Sequence, residues 1–303
     1  MAKKMPRKYA RLRNRVIAAQ TLASAPSYAR HGNLEVRLAQ DVKDVKASQR
    51  LRYTVFYEEW AAQADWRMKR TRRDMDPYDG ICDHLLVIDH AAPRREAVVG
   101  TYRLLRQDVA DRFAGFYSSQ EYDLSPLTRP EFRAQMGHDK QLLELGRSCV
   151  HPDYRTSHTI NLLWKGIASY LEEHRIAYMF GCASFPGANP HAHARAMSYL
   201  YHEHLCPDDF MVRALPDQYR PMEMCKPGDY EIRQARRELP PLVKGYLRLG
   251  CFIGDGAVVD HQFNTTDVFI LLPVERVAKR YSTKFGAPQA ANTGTEDRTA
   301  AEG

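Results

Sequence analysis

The stretch LLELGRSCVHPDYR at residues 142–155 decides the fold and suggests where the chemistry lies. Leu142 to Val150 is an apolar run with the length of a buried strand, and Pro152 ends it with a turn. Arg155 stands immediately before a strongly periodic helix, predicted for residues 157–174. A buried strand, a turn and an amphipathic helix in this order indicate an α/β architecture.

Two charged residues interrupt this apolar strand. Because side chains alternate along a regular strand, Glu144 and Arg147 are expected on opposite faces. Gly146 lies between them, and glycine inside a strand often marks a bulge. One extra residue there would bring both charges to one face and leave backbone N–H groups available to a ligand. A reaction centre and a buried ion pair that ties the strand to a neighbour both remain open from these residues alone.

Length and composition indicate a globular chain with a full core. The chain has 303 residues, of which 44% are hydrophobic and 27% charged; this suits one large domain or two small ones. The apolar run at residues 268–272 is too short to span a bilayer, and residues 1–30 lack the apolar core of a signal peptide. The six cysteines form no CxxC pair, which favours free thiols in a reducing cytoplasm over disulfides or a zinc site.

Positive charge is concentrated in two places. The net charge is +7, with eight Lys or Arg and no acid in residues 1–30, and five more basic residues in residues 67–73. Such clusters suit an anionic partner, whether acidic protein, membrane surface or nucleic acid, although a solvated tail is the commoner meaning of a charge run. The predicted organisation is a basic leader at 1–32, one domain at 33–281 and a disordered tail at 282–303.

Several site classes lose support from the sequence. Neither GxxxxGK[ST] nor GxGxxG occurs, so nothing indicates a nucleotide-binding fold. The histidine pairs at 191/193 and 202/204 have i,i+2 spacing, which points them apart on a helix, so no metal site is predicted.

Arg155 beside a helix N-terminus predicts an anion site, with phosphate as the natural ligand. Its alternative role is a pair with a surface carboxylate such as Asp153.

The strand, the bulge, the V-x-P-x-Y-R sequence at residues 150–155 and the helix resemble the acyl-donor site of the GNAT acyltransferase superfamily. The resemblance implies a mixed, mostly antiparallel central sheet flanked by helices. GNAT enzymes bind the pyrophosphate of coenzyme A with an R-x-x-G-x-G/A loop, whereas residues 155–160 here are RTSHTI. Without the glycines, a donor with a single phosphate, the phosphopantetheine of acyl carrier protein, is favoured, and no other cofactor is implied.

A sparse ordered pattern is also similar to acyl-homoserine-lactone synthases: Arg52-x3-Phe56, Asp76-Pro77-Tyr78-Asp79, Arg103-Leu104 and Glu144-x2-Arg147. A fuller match, over roughly residues 34–285, resembles the L-ornithine N-alpha-acyltransferases of bacterial ornithine-lipid synthesis. It is carried by residues 51–56, 82–87, 99–105, 144–150, 181–185, 244–250 and 263–269.

This resemblance implies transfer of a 3-hydroxyacyl chain from acyl carrier protein to the alpha-amine of L-ornithine, which yields lyso-ornithine lipid. Thioester-to-amide transfer needs positioning, a base and an oxyanion donor. Glu144 is the expected base, and N–H groups near Gly146 would polarise the thioester carbonyl. The other implied roles are an orienting role for Arg147 and Arg103, binding of the side-chain ammonium by Asp76, Asp79 or Asp83, cover of the acyl-chain mouth by Arg52 and Phe56, and phosphopantetheine binding by Arg155.

Rival functions are an N-acyl amino acid synthase that uses another acceptor such as glycine, a lactone-signal synthase, and a non-enzymatic basic module that binds membrane or nucleic acid. Glu144-x2-Arg147 in a core strand favours an enzyme, because a binding module has no use for it. The expected location is the cytoplasm, with peripheral contact to the inner face of the membrane as an option, and no nucleic-acid partner is expected.

Overall fold

The computed structural model describes residues 27–113 and 115–277, and its centre is a large β-sheet. The sheet order is β1-β2-β3-β4-β6-β7-β10-β9-β8-β5. Its strands are β1 (Ser27–His31), β2 (Leu34–Leu38), β3 (Asp83–Asp89), β4 (Val98–Arg106), β5 (Tyr122–Asp123), β6 (Gln141–Val150), β7 (Ile176–Pro186), β8 (Arg213–Ala214), β9 (Phe252–Asp260) and β10 (Thr265–Pro273).

Helices cover the sheet and connect its strands. The helix at Val42–Tyr53 begins directly after Asp41, whose carboxylate accepts hydrogen bonds from the N–H groups of Lys43 and Asp44. It continues into a π-helical turn, Thr54–Glu59. Within the described residues, the α-helices are α1 (Val42–Tyr53), α2 (Trp66–Thr71), α3 (Gln107–Ala110), α4 (Pro130–Met136), α5 (Ser157–Glu173), α6 (Ala194–His204), α7 (Ile232–Glu238) and α8 (Pro241–Leu249).

The sheet is mostly antiparallel, as predicted. Strands β6 and β7 run parallel, as do β8 and β9, whereas the other neighbouring strands run antiparallel. Parallel neighbours need a crossover, and α5 provides it between β6 and β7. The apolar side of α5, with Leu163, Ile167 and Tyr170 at most 3% exposed, packs into the main core. Gly166 permits this contact, because an added Cβ would lie 2.7 Å from Val36 Cγ2.

Strand β6 contains a bulge immediately after Gly146, the residue at which the sequence predicts one. Gly146 pairs with Arg103 and Cys149 pairs with Thr101, so two residues of β6 oppose one residue of β4. The first of the two, Arg147, has a φ of 51°, a left-handed backbone conformation that few residues other than glycine adopt. The bulge therefore re-aims the Arg147 side chain.

Strands β6 and β7 stay together over only part of their length. Their paired register runs from Gln141 and Ile176 to Glu144 and Phe180. At the next position the strands still touch, and an added Cβ on Gly181 would lie 2.3 Å from the Leu145 carbonyl oxygen. Beyond it, the continuing ends of both strands line a shared cavity.

The chain ends lie partly outside the described residues. Residues 27–31 of the predicted leader form β1, which pairs with β2 at the edge of the sheet. Residues 1–26 and the whole predicted tail at 282–303 lie outside the described ranges. In the ranges that the structure describes, no helix is both long and apolar enough to span a bilayer.

Candidate active site

A cavity of about 680 Å³ opens where β6 and β7 separate. It is lined by both strands, by the ends of β9 and β10, by the start of α8 and by the Tyr117–Gln120 turn. The residues predicted for the site from the sequence that line this cavity are Phe56, Arg103, Glu144, Gly146, Arg147 and Arg155. The bulge thus brings Glu144 and Arg147 to one cavity, as predicted.

Glu144 lines this cavity and is buried, with 4% of the residue exposed. One carboxylate oxygen accepts hydrogen bonds from Ser118 N and Ser118 Oγ, at 2.7 and 2.5 Å. The other accepts one from Tyr117 N at 2.7 Å. Burial raises the pKa of Glu144, and the hydrogen bonds from Ser118 and Tyr117 limit the rise. A carboxylate has about four acceptor positions, so capacity for another donor remains.

An extended cluster of three arginines and three aspartates begins with the fully buried Arg52, which does not line the cavity. Its guanidinium donates to both Asp79 oxygens at 2.8 and 2.9 Å, and to Asp74 Oδ2 at 2.8 Å. Burial alone would raise the pKa of Asp79, but the positive charges of Arg52 and Arg103 hold it below its usual range.

Arg103 and Arg147 join this cluster to the cavity. Both donate to Asp76 Oδ2, at 2.6 and 3.2 Å. The Arg147 guanidinium also lies 5.0 Å from the centroid of the Tyr117 ring and 4.7 Å from that of Phe263, distances at which a cation interacts with an aromatic face. The Arg–Asp network consists of Arg52, Arg103, Arg147, Asp74, Asp76 and Asp79, whose formal charges cancel.

The predicted ammonium-binding aspartates lie elsewhere. Asp76 and Asp79 belong to the Arg–Asp network, and Asp79 also accepts a hydrogen bond from Gln49. Asp83 accepts from the Tyr170 hydroxyl at 2.6 Å and lies 3.6 Å from Arg106. Within the described residues, none of these three aspartates is among the lining groups of the cavity. Their substrate-binding roles stay predictions, and the network shows that Asp76 and Asp79 already have cationic partners.

Arg155 lies at the rim of the cavity, beside Phe56 and the half-exposed Trp60. Its guanidinium forms two hydrogen bonds with Glu59, at 2.6 and 2.7 Å. The carboxylate that pairs with Arg155 is therefore Glu59, not the Asp153 that sequence proximity suggests. With 40% of its side chain exposed, Arg155 keeps solvent access. The predicted phosphopantetheine contact stays a prediction.

Three carboxylates line the cavity that the sequence reasoning missed: Glu121, Asp260 and Asp267, here called the acidic wall. Asp267 lies on β10 opposite Ser184 of β7, and Thr265 lies opposite Asp260 of β9. Because directly paired residues and residues two apart on a strand share a face, these four lie on one face of the sheet. Glu121 joins them from the end of the Tyr117–Gln120 turn.

The acidic wall has unusual electrostatics. Burial, together with the charges of Asp267 and Asp260, raises the pKa of Glu121 to about 7. Burial and Asp260 raise the pKa of Asp267 to about 6, although the Ser184 and Thr265 hydroxyls and the Arg147 charge act in the opposite direction. Both carboxyl groups therefore titrate near neutrality, where small changes in their surroundings alter their charge.

Asp267 carries a signal that the sequence does contain. It directly precedes the apolar run Val268 to Leu272, so it is a carboxylate at the start of an apolar strand. A carboxylate beside apolar strand residues is also what singles out Glu144. Glu121 carries no comparable signal, because it lies in a segment without a clear pattern and reaches the cavity through the turn before it.

Comparisons with known proteins identify relatives of this chain. Residues 51–165 match a family described as acetyltransferase (GNAT) domain. A protein of Brucella abortus named L-ornithine N(alpha)-acyltransferase is 49% identical over 262 residues, which cover 85% of this chain and 90% of that protein. A protein of the same name from Rhodobacter capsulatus is 41% identical, with 82% of this chain and 92% of that protein covered.

Solved structures are similar at much lower identity. The N-acyl amino acid synthase FeeM, from uncultured soil microbes, has a TM-score of 0.45 and 10% identity over 83% of this chain and 98% of its own. The AHL synthase LasI has a TM-score of 0.43 and 13% identity over 87% of this chain and all of its own.

Proposed function

This chain belongs to the family of L-ornithine N(alpha)-acyltransferases, and from that premise we propose that it acylates the alpha-amine of L-ornithine. The proposed donor is a 3-hydroxyacyl chain on the phosphopantetheine of acyl carrier protein, and the product is lyso-ornithine lipid. One structural observation supports the proposal above all. The buried carboxylate of Glu144 lines a cavity between two diverging strands, at which a thioester and an amine can meet.

The proposed reaction is aminolysis of a thioester. The alpha-nitrogen attacks the carbonyl carbon, a C–N bond forms, the C–S bond breaks and the thiol leaves with a proton. Glu144 takes the proton of the attacking ammonium, directly or through water. Its burial supports this role, because a raised pKa makes the carboxylate a stronger base nearer to working pH. The hydrogen bonds from Tyr117 and Ser118 hold it in one orientation.

The proposed oxyanion donors are backbone N–H groups of β6 near Gly146. In the described residues, the paired register with β7 ends at Glu144, whereas Gly146 and Ser148 continue along the cavity. Donors positioned in advance stabilise the developing negative charge without reorganisation. Arg147, whose side chain the bulge re-aims, is proposed to orient the acceptor carboxylate with Arg103.

The proposed route for the donor passes Arg155. Its guanidinium lies at the rim, and α2 carries Arg67, Lys69 and Arg70 in a basic segment that suits an acidic carrier protein. The proposed location is the cytoplasm. Peripheral contact with anionic membrane is part of the proposal, because residues 1–30 are strongly basic and the product is an amphiphile.

An acceptor and donor assay tests the proposal. Purified protein is incubated with 3-hydroxyacyl carrier protein, or with the matching acyl-coenzyme A, and with L-ornithine, glycine or L-lysine, and the products are identified by mass spectrometry. Acylornithine made from the carrier protein supports the proposal. Acylglycine as the main product would replace the acceptor, and equal use of acyl-coenzyme A would remove the carrier-protein requirement.

A further inference from the structure

The acidic wall is formed by parts of the chain far apart in sequence. Asp260 and Asp267 lie on neighbouring strands of the sheet, and Glu121 approaches from the turn over their face. The Glu121 carboxylate lies 3.6 Å from Cys182 Sγ, which in turn lies 3.6 Å from Ser118 Oγ, a donor to Glu144. Two side chains thus separate Glu121 from the proposed base.

Asp267 has one carboxylate oxygen without a hydrogen bond, although the Ser184 and Thr265 hydroxyls lie near enough to lower the pKa of the group. Its residue is 7% exposed, it lines the cavity, and its Oδ1 accepts no hydrogen bond from any described residue. Buried polar atoms in proteins are nearly always satisfied, and a carboxylate oxygen left bare in a buried site loses its hydration without compensation. A ligand with a hydrogen-bond donor would restore the missing contact.

The chemistry of that ligand follows from what surrounds the wall. Among residues 27–113 and 115–277, no Lys, Arg or His forms an ion pair with Glu121, Asp260 or Asp267. The same residues contain no group of three His, Cys, Asp or Glu side chains that could hold a metal ion. An organic cation remains as the group that can supply both the charge and the donors.

We infer that the acidic wall of Glu121, Asp260 and Asp267 binds the side-chain ammonium of the acceptor amino acid. The inference rests on the proposed function, which brings a diamine into this cavity. An ammonium has three N–H donors, so it can satisfy Asp267 Oδ1 and a second carboxylate at once. The raised pKa values of Glu121 and Asp267 agree with this reading, because a bound cation would supply the missing counter-charge.

The side-chain ammonium suits the wall better than the alpha-ammonium does. The alpha-amine must lose a proton before it attacks the thioester, and an anionic wall would hold that proton in place. The side-chain amine must stay protonated, since its neutral form would compete for the acyl chain. The wall would therefore give two selectivities: a basic acceptor over a neutral one, and acylation at the alpha position.

The test compares two acceptors in two proteins. L-Norleucine carries a methyl group where L-ornithine carries its ammonium, and the double variant Glu121→Gln with Asp267→Asn keeps side-chain size but removes two charges. We expect the ratio of kcat/KM for ornithine to that for norleucine to fall about tenfold or more in the variant, because a charge-assisted hydrogen bond is lost. The fall should come from the ornithine value.

Controls make every outcome decisive. Glu131→Gln, an exposed acid on α4, is the matched variant and should keep the wild-type ratio. Calorimetry with L-ornithine alone gives a second readout that needs no acyl donor, and the double variant should bind it about tenfold more weakly. An equal loss with both acceptors, or unchanged ornithine binding, overturns the inference. A wild-type protein that binds ornithine but acylates no acceptor contradicts the proposed function and leaves the wall standing.

Discussion

The Arg–Asp network and the acidic wall are both clusters of buried charged residues, but they differ in whether the chain itself supplies the counter-charge. In the network, Asp74, Asp76 and Asp79 face three arginines of the same chain. In the wall, Glu121 and Asp267 line the cavity and form no ion pair with a Lys, Arg or His among the described residues, and Arg147 acts on them only at longer range. Burial of charge by itself therefore does not indicate a binding site. A buried charge that the protein leaves unbalanced on a cavity surface does.

The pKa directions express the same contrast. Guanidinium groups hold the pKa of Asp79 below its usual range, so this carboxylate stays ionised throughout the neutral range. Burial and like charges raise the pKa of Glu121 to about 7, so its charge depends on what binds beside it. The network, whose charges are fixed, is suited to hold the surrounding elements in place. The wall, whose protonation can change, is suited to respond to a bound ligand.

Breaking the network should have the largest effect. Arg52→Ala leaves Asp74 and Asp79 buried with fewer counter-charges, and we expect the free energy of unfolding to fall by about 3–5 kcal/mol. Urea denaturation measures it. Arg213→Ala removes an arginine that is 59% exposed in its pair with Asp255, and should change the value by less than about 1 kcal/mol. Similar small losses for both variants would contradict the structural role of the network.

Glu144→Gln sharpens the comparison at a carboxylate that is held by neutral donors. We expect turnover to fall about 100-fold or more, because the amide cannot accept the ammonium proton. The fold should remain, with a loss of stability of about 1 kcal/mol, since the amide N–H₂ group meets a backbone donor of Tyr117 or Ser118. Single-turnover rates and circular dichroism separate the two effects. Near-normal turnover would exclude Glu144 as the base.

Asp267→Asn tests how much the negative charge of the acidic wall lowers the free energy of unfolding. The folded pKa of about 6 lies above the ordinary value, so the folded protein binds more protons than the unfolded one between these values. Wild-type stability therefore falls as pH rises through that range, whereas Asn carries no charge. The variant should be more stable than the wild type by on the order of 2 kcal/mol at about pH 8, and by little at about pH 4.

Thermal and urea unfolding at both pH values measure this difference. A gain of equal size at the two pH values would show that the substitution acts through packing and not through charge. Together with weaker ornithine binding, a gain confined to high pH would identify a trade of stability for ligand binding.

Arg155→Ala should have the smallest effect on folding. Its pair with Glu59 is solvent-accessible, so the free energy of unfolding should change by less than about 1 kcal/mol. We expect the KM for acyl carrier protein to rise about threefold to tenfold at low salt, with kcat little changed, because rim charges steer association. Arg195→Ala removes another exposed pair, with Glu238, away from the cavity. This control should keep the wild-type KM for acyl carrier protein. An unchanged KM in Arg155→Ala would remove Arg155 from the donor site.

The structural features that could be predicted from the sequence depend on local chemistry. The Asp41 cap, the period of α5 and the glycine-marked bulge each depend on a few consecutive residues. The prediction that Glu144 and Arg147 share a face succeeded because a bulge shifts the alternation of one strand, whatever its neighbours are. The resemblance to a family then supplied the reaction, since ordered motifs carry information that propensities do not.

The roles of the acidic residues could not be read this way. Asp76 and Asp79 look available in an Asp-Pro-Tyr-Asp turn, but Arg52 and Arg103 reach them from another helix and another strand. Glu121 and Asp267 acquire their environment from a contact across more than half the domain. Whether a carboxylate has a partner depends on which distant cation lies within 4 Å, and no local pattern specifies that.

The sequence by itself determined the strand and bulge of residues 142–155, the helix that follows them, the family and the carboxylate Glu144, because these follow from alternation, glycine and ordered motifs. Only the tertiary structure decided which charges are balanced. Antiparallel pairing of β9, β10 and β7 places Asp260, Asp267 and Ser184 on one face, and the separation of β6 from β7 opens the cavity before them. Charge balance is a property of long-range packing.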